Sequence, residues 1–300
     1  MMRRVLVLMG GWSAEREVSL VGGGAVTTAL QSLGYEVSAV DLRDVAALLT
    51  CFRQWPDVVF NTLHGRFGED GCVQGVLNIL GIPYTHSGVM ASALAMNKVM
   101  ARRLFAQAGI PVAMGAVVCR SELLSADPLP RPYVVKPLNQ GSSLEVRIIR
   151  SEDGQLPFAD MEWLYREPVL VESFIPGREL TISIMGEQPL AVTEIVTDHV
   201  FYDYDAKYTA SGSRHILPAP LSTAVTNEAL RLALLAHRTL GCRGVSRADF
   251  RFDGERLVIL EVNTQPGMTP TSLVPEQAAH IGMSFTDLVQ WMVENAACDA

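Results

Sequence analysis

The sequence lacks most of the features of secreted, membrane-spanning or nucleic-acid-binding proteins. Its five cysteines are odd in number and scattered without a CxxC pair, so neither a disulfide framework nor a zinc site is predicted. No apolar run approaches the roughly 18 residues of a membrane span, and the start MMRRVLVLMGG is too short for the core of a signal peptide. The net charge of −8 leaves no broad basic surface for nucleic acid. We therefore expect a cytoplasmic protein that binds neither a membrane nor a nucleic acid.

The chain does have enough apolar residues for a large core. It contains 300 residues, of which 49% are hydrophobic, and a chain of this length buries roughly three quarters of its unfolded surface, in two or three compact units. Near the amino terminus, strand-like runs alternate with helical ones: RRVLVLMG, 18–33, YEVSAVD, DVVFNTLHG and 70–80. This order predicts an open parallel sheet, whose ligands collect at the carboxyl ends of the strands, near the loops 10–17 and 64–71.

The pattern changes near residue 90. A helix over 90–108 is predicted to end at Gly109, which is soon followed by Pro111. We then expect a small α+β unit, from the short strand-like runs GAVVC, YVVKPL, EVRIIR and PVLVESF between turns with proline and glycine. Beyond it, LTISIMGEQPLAVTEIV predicts a hairpin, and 224–240 an amphipathic helix. The segment 199–216 has weak periodicity and is predicted to be a long functional loop.

The most informative segment is RADFRFDGERLVILEVNTQPG, which spans residues 247–267. It places Asp249, Glu261 and Asn263 on two consecutive predicted strands. Two carboxylates and a carboxamide that converge on one spot supply the hard oxygen ligands of a magnesium–nucleotide site, and a pair of metal ions about 3.5 to 4 Å apart would fit there. From the spacing alone, an exposed amphipathic hairpin with solvated charges is an equally open interpretation.

Whether these side chains meet depends on the turn between the two strands. Side chains alternate along a strand, so Arg247 and Asp249 share one face and Glu261 and Asn263 share another. A two-residue turn would separate the two faces, whereas an odd loop would join them. We predict a three-residue loop with Gly254 in a left-handed conformation. Arg247 would then lie opposite Glu261, and Asp249 on the neighbouring diagonal.

Six ordered motifs resemble the D-alanine:D-alanine ligases, a family of ATP-grasp enzymes. The motifs are GGWSAEREVSL, HGRFGEDG, SGVMASALAMNK, VVKPLNQGSS, FYDYDAKY and EVNTQPGMTPTSLVP, and together they extend over essentially the whole chain. The resemblance implies an ATP-grasp fold of α/β and α+β class. It also implies an N-terminal open parallel-sheet domain at 1–95, a central ATP-grasp lobe at 96–178 and a C-terminal lobe at 179–300. Relatives are commonly homodimers, so a homodimer is expected.

The resemblance further implies a site for ATP and two magnesium ions, which manganese could replace. Lys136 ends a predicted strand just before a proline, and the family pattern assigns Lys98, Lys136 and Lys207 to the phosphates. Each cation about 4 Å from the triphosphate would contribute a few kcal/mol at an effective dielectric near 20. The glycine-containing loop with Ser142 and Ser143 would close over the phosphates. The residues implied for adenine and ribose are Glu172, Phe174, Ile175 and Glu179, and those implied for the metal are Asp249, Glu261 and Asn263.

On the substrate side, the resemblance implies that Glu15 binds the ammonium group of the first D-alanine, although an acid at a helix start is also favoured by the helix dipole. His64 is interpreted as a hydrogen-bonding contact rather than as a base. Arg247 and the amide of Gly267 would stabilise an oxyanion. The contacts implied for the second D-alanine are Ser272 and Leu273.

The same resemblance implies a closing device for the site. Glu15, Ser142 and Tyr208 would form a hydrogen-bonded group that shuts the loop 199–216 over the reactants and excludes water. Glu145 departs from the family pattern, because relatives often carry glycine there. A carboxylate would repel phosphate, so we expect this side chain to point away.

The implied reaction is the ATP-dependent ligation of two D-alanine molecules through an acyl phosphate, for peptidoglycan precursor synthesis. One alternative is a ligase of the same class that uses D-lactate or D-serine as the second substrate, although Tyr208 after Lys207 favours the dipeptide. Another is a non-catalytic module that binds a nucleotide or an amino acid, for which Glu145 is the only hint.

Overall fold

The computed structural model describes residues 3–52, 55–139, 146–153, 168–197 and 213–299. Most of the predicted loop 199–216 lies outside these ranges. So do five residues to which the sequence assigned a role or an orientation: Ser142, Ser143, Glu145, Lys207 and Tyr208. Across the described ranges the chain forms three sheets. Within the same ranges, no helix has the length and apolar character needed to cross a membrane.

The amino-terminal sheet is parallel, which confirms the prediction. Strand β1 (Arg4–Gly10) lies between β2 (Glu36–Leu42) and β3 (Val58–Asn61). Both faces of β1 are covered and its residues 5–8 are buried, which is why this strand reads as a continuous hydrophobic run. The helices that alternate with these strands or follow them are α1 (Arg16–Ser32), α2 (Val45–Cys51) and α3 (Cys72–Leu80).

The helix predicted over 90–108 is two helices. Helix α4 (Val89–Met96) ends where α5 (Lys98–Gln107) begins, and Asn97 between them has an extended backbone with φ −86° and ψ 94°. The side chain of Asn97 accepts the backbone N–H of Met100 at 3.0 Å, so it caps the second helix. The single predicted helix is therefore wrong, and the break places Lys98 at a helix start.

The central unit is an antiparallel sheet with the strand order β4–β7–β5–β6. Its core contains Tyr133, Val135 and Val171. Each of the four predicted runs forms one of its strands, which are β4 (Gly115–Val118), β5 (Tyr133–Pro137), β6 (Arg147–Ile149) and β7 (Val169–Ser173). A short helix, α6 (Arg120–Ser125), follows β4.

The carboxyl-terminal sheet is also antiparallel, with the order β10–β9–β8–β11–β12. Helix α7 (Thr223–Leu240) packs on it together with α5, and Phe105 and Leu232 meet Ile182 and Phe250 in one core. The strands are β8 (Arg178–Met185), β9 (Gln188–Val196), β10 (Arg214–Ile216), β11 (Val245–Phe252) and β12 (Leu257–Asn263).

Two further helices, α8 (Leu273–His280) and α9 (Phe285–Glu294), join the first and last sheets. Leu288 and Met292 of α9 share a buried core with Val5 and Phe60 of the amino-terminal sheet. The amino-terminal sheet thus buries one face against residues from much later in the sequence, and it shares this core with the carboxyl-terminal sheet.

Candidate active site

The turn of the carboxylate hairpin differs from the predicted one. Strands β11 and β12 are joined by residues 253–256, so the loop has four residues and the predicted three-residue loop is wrong. The side chain of Asp253 accepts the backbone N–H groups of Glu255 and Arg256, at 2.9 and 2.7 Å, which stabilises the longer turn. Gly254 does have the predicted positive φ, at 105°.

A β-bulge in β12 places the side chains of Arg247, Asp249, Glu261 and Asn263 on one face of the hairpin, which a four-residue loop alone would not do. An even loop would put the two pairs of side chains on opposite faces, but the register shifts by one residue next to Asp249, where Leu260 is the additional residue of β12. Asp249 therefore lies directly opposite Glu261, and Arg247 lies opposite Asn263. The predicted pairing of Arg247 with Glu261 is wrong, and the four side chains still share one face.

Asp249 is held by two neighbouring side chains. The guanidinium of Arg247 donates to it through Nε at 2.9 Å and Nη2 at 2.8 Å, and the hydroxyl of Thr181 donates at 2.6 Å. A bidentate arginine–carboxylate pair has a fixed relative geometry. The pair therefore orients both the carboxylate and the guanidinium before any substrate binds.

The donor set on this face fits magnesium. An ionised carboxylate has about four acceptor positions, and Asp249 uses three of them on Arg247 and Thr181, so one remains for a cation. Glu261 and the amide oxygen of Asn263 add hard oxygens of the kind that magnesium prefers. The described residues include no cluster of three His, Cys, Asp or Glu side chains that could hold a metal. This agrees with the proposed set, because its third ligand is an asparagine amide.

Two of the predicted phosphate-binding lysines lie near this face. The Nζ of Lys98 is 3.4 Å from Glu261. Lys136, at the end of β5, is buried and contacts Glu172, which also contacts Arg102 of α5. Burial, together with the positive charge of Lys98, lowers the pKa of Lys136 to about 7. Arg102 had no signal in the sequence that pointed to the site.

Two of the predicted adenine and ribose residues, Phe174 and Ile175, lie on the segment 174–177 that connects β7 to β8, and the other two lie on the strands beside it, Glu172 in β7 and Glu179 in β8. Phe174, Ile175 and Glu179 come together there because Arg251 of β11 reaches across to all three. The sequence did not identify Arg251. Its only signal was strand parity, which places it on the face of β11 that also bears Asp249.

Glu15 and His64 lie in loops that follow β1 and β3. Both are buried, together with Glu69, and the Nδ1 of His64 is 3.8 Å from a carboxylate oxygen of Glu69. Burial alone would lower the pKa of His64, but the contact with Glu69 and the negative charges of Glu15 and Glu69 outweigh it and raise that pKa, against the opposing charge of Arg247. Burial likewise raises the pKa of Glu69, with Glu15 adding to the effect. Glu69 was not predicted as a site residue.

Glu15 is the N-cap residue of α1, but its side chain does not cap the helix. The next residue, Arg16, donates to the carboxylate of Asp41 at 2.7 Å and to the carbonyl of Leu42 at 3.2 Å. These bonds tie the start of α1 to the end of β2. These bonds of its neighbour help to fix the position of Glu15, which lines the cavity described below.

Ser272 precedes α8 and its hydroxyl is bonded to Thr269, accepting the backbone N–H at 3.0 Å and lying 2.8 Å from the Thr269 hydroxyl. This turn brings Gly267, Ser272 and Leu273 to the wall of the cavity. The asparagine side chain at 263 accepts the backbone N–H of Gln265 at 2.8 Å, so the metal set and this turn are directly linked.

One cavity of about 1400 Å³ joins most of these groups. The predicted site residues that line it are Glu15, His64, Lys98, Arg247, Glu261, Asn263, Gly267, Ser272 and Leu273. The predicted residues outside its lining are Lys136, Glu172, Phe174, Ile175, Glu179 and Asp249. The cavity thus joins the residues predicted for the amino acids to Lys98 and to two of the predicted metal ligands, and its lining does not include the residues predicted for adenine and ribose.

Known proteins match this chain along its length. A family model described as D-ala D-ala ligase C-terminus matches residues 104–294, and one described as D-ala D-ala ligase N-terminus matches 49–87. A D-alanine--D-alanine ligase of Rhodospirillum rubrum is 60% identical, with 100% of both chains covered. One from Acidiphilium cryptum is 54% identical, with 99% of both covered.

Solved structures agree in fold. A crystal structure of a D-alanine--D-alanine ligase from Bacillus anthracis has a TM-score of 0.86 at 30% identity and covers 98% of this chain and 97% of that one. The Bacillus anthracis enzyme complexed with ATP has a TM-score of 0.85 at 28% identity, with the same coverage.

The three sheets, and the face of β11 and β12 that bears Arg247, Asp249, Glu261 and Asn263, define an ATP-grasp enzyme. An open parallel-sheet domain is added at its amino terminus. Within that class, the full-length matches are decisive. The chain belongs to the D-alanine--D-alanine ligase family.

Proposed function

We propose that this chain catalyses the ATP-dependent joining of two D-alanine molecules into D-alanyl-D-alanine, for peptidoglycan precursor synthesis. One observation carries the proposal. Strand β11 presents Arg247 beside Asp249 at a cavity that also contains Glu15 and His64. An oxyanion donor, a cation site and groups for a substrate ammonium are thereby brought to one place.

ATP binds between the central and the carboxyl-terminal sheets in this proposal. The triphosphate is directed at Lys98 and Lys136, and the base and ribose at the segment between β7 and β8. We place the domain boundaries near residues 95 and 178, so that this segment lies at the junction of the two lobes. Magnesium held by Asp249, Glu261 and Asn263 would supply charge neutralisation of the transferred phosphoryl group.

In the first chemical step, the carboxylate of the first D-alanine attacks the γ-phosphorus of ATP, ADP leaves, and an acyl phosphate forms. Glu15 binds the ammonium group of this alanine, because a buried carboxylate is the natural partner of a substrate cation. His64, oriented by Glu69, contributes a hydrogen bond beside it. Lys98 and Lys136 neutralise charge on the phosphates.

In the second step, the amine of the second D-alanine attacks the acyl carbonyl, and inorganic phosphate leaves. Arg247 and the amide of Gly267 stabilise the tetrahedral oxyanion. The bidentate pair with Asp249 holds the guanidinium in place for this role. Ser272 and Leu273, at the N-terminus of α8, contact the incoming alanine.

A product assay tests the proposal. Purified protein with ATP, magnesium and D-alanine should release ADP and phosphate and form D-alanyl-D-alanine, and Asp249→Ala or Glu261→Ala should abolish both. If these variants kept full turnover, the assigned cation site would be wrong. If D-alanine alone gave no dipeptide, and a ligated product formed only when D-lactate or D-serine was added, that compound would replace D-alanine as the assigned second substrate.

Two further parts of the proposal concern the whole protein. We place it in the cytoplasm, where ATP is available, and we propose a homodimer. Light scattering of the purified chain at micromolar concentration would test the dimer, and a mass equal to one chain would contradict it.

A further inference from the structure

Arg251 makes an unusual set of contacts at the end of the nucleotide site. Its guanidinium donates to the carbonyl of Ile175 at 3.1 Å, to the carbonyl of Gly177 at 2.8 Å and to the carboxylate of Glu179 at 3.2 Å. Its central carbon lies 5.8 Å from the centre of the Phe174 ring. One side chain therefore contacts three residues of the short link between β7 and β8, residues 174–177, and one residue of β8.

These contacts are not those of a solvated surface ion pair. The side chain of Arg251 is 16% exposed and that of Glu179 is 14% exposed. Surface pairs contribute little and are screened, whereas a rigid guanidinium fork that binds two backbone carbonyls and one carboxylate holds all three in a fixed relation. Arg251 thus sets the shape of the link as well as the direction of the Glu179 carboxylate.

The backbone reinforces this arrangement. Gly177 has a φ of +95°, and a Cβ at that position would lie 2.2 Å from the carbonyl oxygen of Phe252. The link therefore passes very close to the end of β11, which only glycine permits. Close approach at Gly177 and the hydrogen bonds of Arg251 together pin the link to β11.

The position of Arg251 on its strand gives these contacts a functional meaning. Arg247, Asp249 and Arg251 are alternate residues on one face of β11. Arg251 lies directly opposite Glu179 of the neighbouring strand β8. Strand β11 thereby connects the oxyanion group, the cation site and the base and ribose end of the nucleotide site. A rigid strand can hold such a series of groups in register.

We propose that Arg251 is a positioning residue for the nucleotide. It directs the carboxylate of Glu179 at the ribose hydroxyls, and it holds the link at Phe174 and Ile175 in the shape that receives the adenine. This proposal rests on the ATP site assigned above. It adds a residue that acts on ATP through Glu179 and the link, without a role in the amino-acid half of the reaction.

The test compares Arg251→Met and Arg251→Lys with Arg231→Met. The control residue Arg231 is an exposed arginine that pairs with Glu228 on α7, away from the site. In Arg251→Met, we expect the KM for ATP to rise about tenfold, since hydrogen bonds to a charged group are lost. The kcat and the KM for D-alanine should stay within about twofold, and Arg251→Lys should be intermediate because a single ammonium cannot replace the fork.

A second measurement separates positioning from general destabilisation. The dissociation constants of ATP and 2′-deoxy-ATP are measured by calorimetry without D-alanine, so the result does not depend on ligation. The wild type should bind ATP more tightly than 2′-deoxy-ATP, and this ratio should fall towards one in both Glu179→Gln and Arg251→Met. The ratio should be unchanged in Arg231→Met.

Other outcomes would overturn either the role of Arg251 or the proposed reaction, and they can be told apart. An Arg251→Met protein that keeps the wild-type preference for the ribose hydroxyl, or that loses affinity for ATP and D-alanine alike, would show that Arg251 has only a structural role. A wild type that does not discriminate between the two nucleotides would remove the ribose contact itself. Absence of dipeptide with intact nucleotide discrimination would contradict the proposed reaction and leave the role of Arg251 standing.

Discussion

At the amino-terminal sheet, the candidate site residues Glu15 and His64 lie in loops that follow parallel strands, whereas at the carboxyl-terminal sheet Asp249 and Glu261 lie on the strands themselves. The loop residues are fixed by buried charges and hydrogen bonds, as in the group of His64 and Glu69. The strand residues are fixed by register. The first region therefore depends on electrostatic partners, and the second on the pairing of one hairpin, so substitutions should affect them differently.

The largest effect is expected at the hairpin. Arg247→Ala should lower kcat by about 10² to 10³, the loss typical of a missing oxyanion donor, because it removes the guanidinium and leaves the buried carboxylate of Asp249 with one partner fewer. ADP formation with D-alanine measures this. The control is Arg256→Ala, an exposed arginine at the turn of the same hairpin. Equal losses in both variants would mean that hairpin stability, and not the group at position 247, is responsible.

A smaller effect is expected at the amino-terminal loops. Glu15→Gln should raise the KM for D-alanine by about 10-fold to 100-fold, which corresponds to the loss of a charge-assisted hydrogen bond of about 1.5 to 3 kcal/mol. The KM for ATP should change little. Glu36→Gln, at an exposed position of β2, is the matched control. A loss confined to kcat, with an unaltered KM, would contradict a role in binding the ammonium group.

The third prediction concerns how the affinity for ATP depends on pH, through a lysine that is assigned to the phosphates. Lys136 has a pKa of about 7 without nucleotide, so it is mostly neutral above that pH. A bound triphosphate favours the charged form, and binding should therefore take up a proton. The affinity for ATP should fall as pH rises from 7, by at most about tenfold per unit.

Calorimetry in buffers of different ionisation enthalpy at pH 7.5 measures this proton uptake directly. Lys136→Arg stays charged throughout the range, so its affinity for ATP should lose the pH dependence. The same proton uptake in the arginine variant would assign the titration to another group.

The smallest effect is expected within the loop cluster. The negative charge of Glu69 beside the ring helps to raise the pKa of His64, so Glu69→Gln should lower that pKa. Nuclear magnetic resonance of the histidine rings measures it, and the signal of the exposed His280 should not move between the two proteins. An unchanged His64 titration would show that the two side chains do not interact in solution.

The sequence predicted the parallel sheet and the loops that bear Glu15 and His64, because alternation of strands and helices determines which strand ends meet. The prediction failed at the hairpin. The number of loop residues depended on hydrogen bonds that the side chain of Asp253 accepts, and the shared face depended on a bulge at Leu260. Neither follows from strand parity, which assumes an uninterrupted ladder.

Other misses have local or long-range causes. Asn97 divides a predicted helix because its side chain caps the next one, and a cap competes with helix continuation. Glu69 contacts His64 nearby in the chain, whereas Arg102 and Arg251 join the site through partners far along the chain or across a sheet. Residue spacing identifies the groups that do chemistry more readily than those that hold them in place.

The core shared by β1, β3 and α9 has a consequence for how the protein is made. Val5 and Phe60 leave the ribosome well before Leu288 and Met292, the residues of α9 that share their core. During synthesis, part of the apolar surface of the amino-terminal sheet therefore stays uncovered until α9 has been made. The nascent chain therefore reaches its complete fold late, and we expect slowed translation or early termination to yield fragments that aggregate or require chaperones.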